Sequence, residues 1–437
     1  MLFGFTSASE VYVYVTCIIL GIAILTPLKC LVSAPRFMVD YYKYVSGDPD
    51  AKPTPPIFWA NILTFYSAVS LVTQILFAPT VLTRTVRRLS LSTRFTLAIT
   101  SMMIEIVAVL FMPVVKVTQT VAIVVFFIVI ILSGIGKSHM EATTYTLVSS
   151  MPSKFMSAAM FGCSFSGVIT SVLQCVIKGS MENTYESVLK QSYIYFSLGL
   201  VIMTVALIMA HSLRYISYAQ ENVAEYRMMK QANSDEGGCH NDTDGENEPV
   251  AKMEEENDVD EEAGMTTAEQ LTATPVLPVL KKIHLMMTTC FISFFVTLFI
   301  FPSLVLPIDR DHNWFGTLAI LCYNFGDAAG RFGTTFKCIW PSRRVLLILT
   351  LSRFLFIVPI FLCVFKYIPG HAVPYILMFL VGLTNYTGTL SMVYGPITPG
   401  LVTAGQKLMA GQLMGISLLA GASFASLIAI GVAYALP

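Results

Sequence analysis

Apolar residues run in long unbroken blocks along this chain, and short polar stretches separate the blocks. A helix that crosses a bilayer needs about 20 mainly apolar residues. The blocks predict eleven such helices, over 11–33, 58–82, 92–114, 119–148, 155–177, 192–212, 283–307, 315–336, 345–366, 372–395 and 407–435. One interval breaks the rhythm. Residues 213–282 contain Ser-Asp-Glu-Gly-Gly at 234–238 and Glu-Glu-Glu-Asn-Asp at 254–258. That interval is too polar to bury a core and is expected to be an acidic, disordered loop. It divides the chain into an N-terminal membrane bundle of six helices (1–212) and a C-terminal bundle of five (283–437). The expected fold class is an all-α integral membrane protein.

Composition agrees with the pattern. Of 437 residues, 55% are hydrophobic and only 12% charged, against about 25% charged in soluble domains. A soluble fold of this length would lack the polar residues to cover its surface. Whole-chain disorder, a disulfide scaffold and a nucleic-acid binder are excluded. The net charge of zero hides an asymmetry: residues 231–270 hold 14 of the 27 acids and a single lysine, Lys252. The remainder is a basic-flanked membrane body. Nine cysteines, mostly inside apolar blocks, read as free thiols. The first block follows ten residues without a basic segment and is long enough to span, so it is read as a span and not as a cleavable leader.

Lysine and arginine in short loops set the orientation. Arg84, Arg87, Arg88 and Arg94 flank the second-to-third loop, and Lys337, Arg343 and Arg344 the eighth-to-ninth. An eleven-span alternation puts both on one side, taken as the cytosol. The N-terminus and the acidic loop are then cytosolic and the C-terminus extracellular, in a multi-pass protein expected in the plasma membrane. Trp59, Trp314 and Trp340 fall at span ends, as interfacial anchors do. The sequons at Asn241 and Asn385 lie in the cytosolic loop and inside a span, so neither is expected to meet the glycosylation machinery.

Charges inside spans are costly and usually face protein or an aqueous cavity. Glu105 interrupts the third span. Lys137, His139 and Glu141 lie in the fourth, with Lys137 and Glu141 one turn apart on one face. Asp327 and Arg331 have the same spacing in the eighth. Lys29 lies in the first span after Pro27, and Arg353 in the ninth. Each has a plainer reading: long stems of Lys29, Arg331 and Arg353 can snorkel, Lys137 and Glu141 can neutralise one another, and Glu105 can be a neutral acid or the partner of a lysine. His139 and His211 read as locally satisfied side chains. Together the charges favour a polar path. No Walker loop, zinc-spaced cluster or Gly-x-Ser-x-Gly elbow occurs, so no catalytic residue, metal or cofactor is expected. Eleven spans with paired internal charges point to a solute carrier. A channel would show a selectivity-filter loop.

Tyr323-Asn-Phe-Gly-Asp-Ala-Ala-Gly-Arg resembles the Asn-x-x-Asp-x-x-Gly-Arg signature of equilibrative nucleoside transporters. Val296 to Pro302, Ser352 to Pro359, and Leu383-Thr-Asn with Tyr394-Gly-Pro resemble that family's seventh, ninth and tenth spans. Tyr41-Tyr-Lys-Tyr, Asp50-Ala-Lys-Pro and Pro152-Ser-Lys-Phe are most similar to the kinetoplastid purine permeases. The resemblance covers nearly the whole chain. It implies a major-facilitator-like 6+5 fold with alternating access. It implies substrate contacts from Asp327, Arg331 and Asn385, and gating or proton coupling through Glu105, Lys137, Glu141 and Arg353. Pro27-Leu-Lys stands where mammalian members have Pro-Trp-Asn. Lys29 in place of an amide would donate to an oxopurine carbonyl. The expectation is therefore transport of purine nucleobases (hypoxanthine, guanine or adenine), with protons as a further partner. The alternative is a purine nucleoside carrier for adenosine or inosine.

Overall fold

The computed structural model describes residues 5–182, 184–237, 264–301, 304–305, 308–309 and 314–435. Most of the acidic stretch and the Asn241 sequon lie outside the described residues. In lipid the backbone must satisfy its own polar groups, which long helices do. The first half supplies α1 (Ala8–Ser33), α2 (Ile62–Phe77), α3 (Leu91–Val115), α4 (Gln119–Ser149), α5 (Ser153–Ser180) and α6 (Tyr185–Ser212). Ser7, Ser90, Thr118 and Thr184 begin four of these by accepting a first-turn N–H. The apolar blocks thus carry their own start signals.

The second half is less regular. It comprises α9 (Val276–Ile300), α10 (Phe315–Gly333), α11 (Arg343–Ser352), α12 (Ile357–Val364), α13 (Ala372–Leu383), α14 (Tyr386–Tyr394) and α15 (Ala404–Ala435). The expected ninth span is broken by a 3₁₀ turn at Arg353–Phe356, between α11 and α12. The expected tenth breaks at Thr384 and Asn385, between α13 and α14. Among the described residues, ten helical segments are long and apolar enough to cross a membrane. The remaining predicted span is α10, whose face of Asn324, Asp327 and Arg331 makes it too polar for that group.

The interval expected to be a disordered loop is helical at both described ends. Short α7 (Ala224–Gly237) and α8 (Thr267–Ala273) flank the undescribed centre. Ala219, Val223, Tyr226 and Leu271 are at most 1% exposed, so these ends do bury apolar surface. Glu225 accepts the Leu91 N–H at the start of α3 at 2.9 and 3.1 Å. Burial pushes the Glu225 carboxyl up, and the Leu91 N–H and Arg94 oppose that. Arg87 donates to the carbonyls of Leu271 and Thr274 at 3.0 and 3.5 Å. The basic loop read as an orientation signal is thus also the dock for α8.

Close helix contacts build both halves. In the first, Gly21 of α1 faces the Ala159 carbonyl of α5, and Gly162 faces the Ile18 carbonyl in return. A Cβ at either would lie near 2 Å from backbone oxygen (2.0 and 2.1 Å), so only glycine lets these helices touch. Gly382 plays the same part between α13 and α10. The halves meet chiefly where α5 packs on α10 and where α4 packs on α15. Trp59, expected as an interfacial anchor, is 1% exposed in an aromatic group with Phe58, Tyr41 and Tyr42.

Candidate functional site

The polar centre is built from α10 upward. Asn324, Asp327 and Arg331 recur at i, i+3 and i+7, so one helical face carries all three. Each is nearly buried, at 2%, 4% and 6% exposure. Arg331 Nε donates to Asp327 Oδ1 at 2.9 Å, and Asn385 Nδ2 donates to the same oxygen at 2.8 Å. Arg331 Nη1 crosses to the Met160 carbonyl of α5 at 3.1 Å. Asn324 likewise crosses to Ser171 of α5 at 2.6 Å. Asp327 Oδ2 and Arg331 Nη2 make no hydrogen bond within the described residues. An acceptor and a donor therefore stand side by side, uncommitted.

Arg353 does not snorkel. It is 1% exposed, and its guanidinium is fully engaged. Nε donates to Thr384 Oγ1 at 3.2 Å, and Nη1 to the Ser293 carbonyl and hydroxyl at 2.8 and 2.7 Å. Nη2 reaches Thr297 Oγ1 at 2.8 Å and the Val381 carbonyl at 3.1 Å. The breaks in the ninth and tenth spans free backbone carbonyls at this depth, and Arg353 satisfies one of them. It acts as a strut tying α9 to the α13–α14 break. Asn385 lies beside it, with Oδ1 3.3 Å from Arg353 Nη1. It is 0% exposed. Its Oδ1 accepts from Thr297 at 3.0 Å while its Nδ2 holds Asp327. It positions the aspartate and does not itself face open space.

The charges of the first half are arranged otherwise. Lys29 is half-buried and lines a small cavity between α1, α5 and α6, with Thr26, Ser166, Thr170 and Tyr195. Its charged neighbours are Asp327, Arg331 and Lys137, so it points inward and does not snorkel. Lys137 and Glu141 share a face, yet they close no ion pair within 4.0 Å; Arg331 and Asp327 do. Glu105 is 0% exposed. Tyr66, Ser133 and Lys137 face it, but neither carboxyl oxygen finds a hydrogen bond of good geometry. Glu141 Oε2 is also unpartnered. His139 and His211 bond to other helical segments, His139 to Thr80 at 3.0 Å and His211 to Thr96 at 3.1 Å. The eight cysteines of the described residues are free.

The structure therefore gathers Lys29, Lys137, Asp327 and Arg331 around one centre, with Asn385 and Arg353 behind it. Sequence reasoning missed Ser293, Thr297 and Thr384, the partners of Arg353. Ser293 and Thr297 have the i, i+4 spacing that could have flagged them. The Met160 carbonyl leaves no trace in a side-chain reading.

Comparisons with known proteins add three findings. A family model described as "Nucleoside transporter" matches residues 126–433. Nucleoside transporter 1.1 of Leishmania donovani is 31% identical over 97% of this chain and 94% of its own length. Adenosine transporter 1 of Crithidia fasciculata is 31% identical over the same shares. Among solved structures, a double-tryptophan mutant of XylE superposes with a TM-score of 0.62 at 13% identity, over 96% of this chain and 87% of that one. FucP, a major facilitator superfamily transporter, does so at 0.54 and 12%, over 97% and 92%. At such identities the shared feature is the fold.

Proposed function

Because the chain belongs to the nucleoside transporter family and has the helical fold of major facilitator transporters, we propose that it carries purine nucleosides by alternating access. The moving parts are a six-span bundle (1–212) and a five-span bundle (283–437), with α10 counted as the eleventh span. Rocking of the two about the α5–α10 contact would expose the polar centre to either side. The 213–282 interval is the cytosolic connection. The N-terminus is cytosolic and the C-terminus extracellular, in the plasma membrane.

The observation that carries this reading is the uncommitted pair Asp327 Oδ2 and Arg331 Nη2 beside Lys29. A carboxylate accepts from ribose hydroxyls, and guanidinium and ammonium groups donate to ring nitrogens and carbonyls. The first expectation, a nucleobase carrier, rested on Lys29 alone. The relatives are named for nucleosides and adenosine, and that favours the nucleoside reading. Glu105 and Glu141, with unpartnered buried oxygens, are the groups to carry a coupled proton.

Uptake in a transport-deficient host tests this. Labelled adenosine and inosine should enter saturably, compete with each other, and lose at least about tenfold in rate with Asp327→Asn. A protonophore should abolish accumulation. Hypoxanthine outcompeting inosine at equal concentration would restore the nucleobase reading. Unsaturable conductance would favour a channel.

A further inference from the structure

The two basic loops that set the orientation meet different fates. In the first half, Arg87 is engaged by the carbonyls of Leu271 and Thr274, in and just after α8. Arg94 is 3% exposed, with the Glu225 carboxylate of α7 as its charged neighbour. The chain's own α7 and α8 thus cover that loop. The second half has little to cover its loop with. After Glu269 the sequence holds three acids, Asp309, Asp311 and Asp327. Asp327 belongs to the polar centre, and the other two follow the far end of α9. The near end, where α9 and α11 begin, carries Lys281, Lys282, Lys337, Arg343 and Arg344. None of these closes an ion pair among the described residues.

These cations form one built surface. α9 packs on α11. Lys282 donates to the Gly400 carbonyl, and Arg343 Nη2 to the Ile397 carbonyl at 2.9 Å, so both helix starts are pinned to the segment that joins α14 to α15. Aromatic rings fix the rest. Trp340 Nε1 donates to the Thr334 carbonyl at 2.8 Å, and its ring meets Tyr394 edge-on at 5.5 Å. The Tyr394 hydroxyl donates to the Pro341 carbonyl at 2.7 Å. The Arg343 guanidinium lies 5.8 Å from the centre of the Tyr394 ring, and the Lys337 ammonium 6.0 Å from that of Trp340. Carbonyls and rings place these cations without neutralising them.

Placed positive charge without a counter-charge calls for an anion, and the same stretch says of what kind. Arg343 and Arg344 open α11, where the helix dipole disfavours cations, so they do not serve the helix. Phe336, Ile339 and Val345 are interspersed with the cations and are 45%, 53% and 44% exposed. A small anion or a carboxylate-rich peptide would meet the charges and leave these side chains uncovered. A phospholipid meets both, with its phosphate on the cations and its acyl chains along the apolar groups. On the orientation given above, this corner faces the inner leaflet, where anionic lipids make the surface potential negative. Trp340 sits at the depth where indole rings meet headgroups.

We propose that Lys281, Lys282, Lys337, Arg343 and Arg344 form a docking surface for the phosphate headgroup of an anionic inner-leaflet phospholipid. The exposed Lys281, Lys337 and Arg344 hold the phosphate. Lys282 and Arg343, each with a donor on a backbone carbonyl, shape the rim. Such a lipid ties the second half to the inner leaflet whatever the permeant is.

A lipid competition tests it with a readout that needs no transport. The purified full chain in neutral detergent is mixed with phosphatidylserine or with phosphatidylcholine of the same acyl chains, and bound lipid is counted by native mass spectrometry. Phosphatidylserine should be retained at least about tenfold more. Lys281→Gln with Arg344→Gln should bring it to the phosphatidylcholine level. Arg84→Gln with Arg88→Gln removes the same charge from the first-half loop and should change retention by less than about twofold. All four side chains are exposed, so both pairs should melt with the parent when lipid is absent. Lys337→Gln alone should act in the same direction to a lesser degree, which covers a pair that fails to fold. Equal retention of the two lipids, or equal losses from the two pairs, would overturn the proposal. Inorganic phosphate raising the melting temperature as much as phosphatidylserine would also overturn it, since any small anion would then suffice. So would phosphatidylserine binding that appears only after deletion of residues 238–263, which would give the surface to the chain's own acidic segment.

Discussion

The two halves of the polar centre treat charge in opposite ways. In the second half, Asp327, Arg331, Arg353 and Asn385 form one hydrogen-bonded network, saturated at Arg353 and open at Asp327 Oδ2 and Arg331 Nη2. In the first half, Glu105 and Glu141 are as deeply buried but leave carboxyl oxygens unpartnered. A saturated network has one good geometry, so it resists change. A half-satisfied group gains by any rearrangement that brings it a proton, a cation or water. On the proposed transport reading, the second half would hold a fixed recognition surface, and the first half the groups whose state changes during a cycle.

The hardest way to break that contrast is to remove the strut. Arg353→Met strips donors from Thr384, Ser293, Thr297 and the Val381 carbonyl at once, and leaves Asn385 with fewer partners. Breaking a buried charged network by deleting one member costs about 3–5 kcal/mol. The detergent-solubilised protein should unfold at markedly lower temperature and reach the membrane in reduced amount. Arg353→Lys should recover part of the loss, because it keeps the charge but not the forked geometry. Normal melting of Arg353→Met would mean that the saturated network is not what fixes this half.

That strut also marks where the sequence stopped being legible. Long apolar blocks announced the helices well, since a span must be apolar over its whole length and little else reads that way. The grouping of Asp327 with Arg331 was visible because one helical turn separates them. The breaks inside the ninth and tenth spans were not. Neither Arg353 nor Asn385 disrupts a helix by its own chemistry. The breaks persist because residues distant in sequence, Ser293 and Thr297 on α9, meet them. The helical ends of the 213–282 interval were missed for the converse reason: their few apolar residues are diluted by acids, and the surfaces they dock on, among them Arg87, the start of α3 and α15, are distant in sequence.

A middle-sized effect is expected from the first half. Glu141→Gln replaces a carboxyl that has an unpartnered oxygen by a neutral amide of similar shape. Lys137, Tyr145, Cys163 and Cys290 face it from α4, α5 and α9. Melting temperature should hold or rise slightly, opposite in sign to Arg353→Met, because no closed ion pair is lost. Concentrative uptake should fall to simple equilibration and become insensitive to a protonophore. Accumulation that stays protonophore-sensitive would remove Glu141 from the coupling path. If Glu105→Gln then abolished that sensitivity, the role would pass to Glu105.

The smallest effect bears on which purine is preferred. Lys29 is the cation of the first half that neighbours Asp327 and Arg331, so it sits where the changing and the fixed halves meet. An ammonium there donates to the 6-carbonyl of inosine but finds only a donor in the 6-amino group of adenosine. A hydrogen bond to a charged group contributes about 1.5–3 kcal/mol. Lys29→Asn should therefore weaken inosine competition about tenfold or more while leaving adenosine closer to the parent. Stability should change little, since Lys29 closes no ion pair within the described residues. A parallel loss for both nucleosides would show that Lys29 serves the charge balance around Asp327 and does not read the base. The division between a fixed recognising half and a changing half would then need Lys29 moved from the first role to the second.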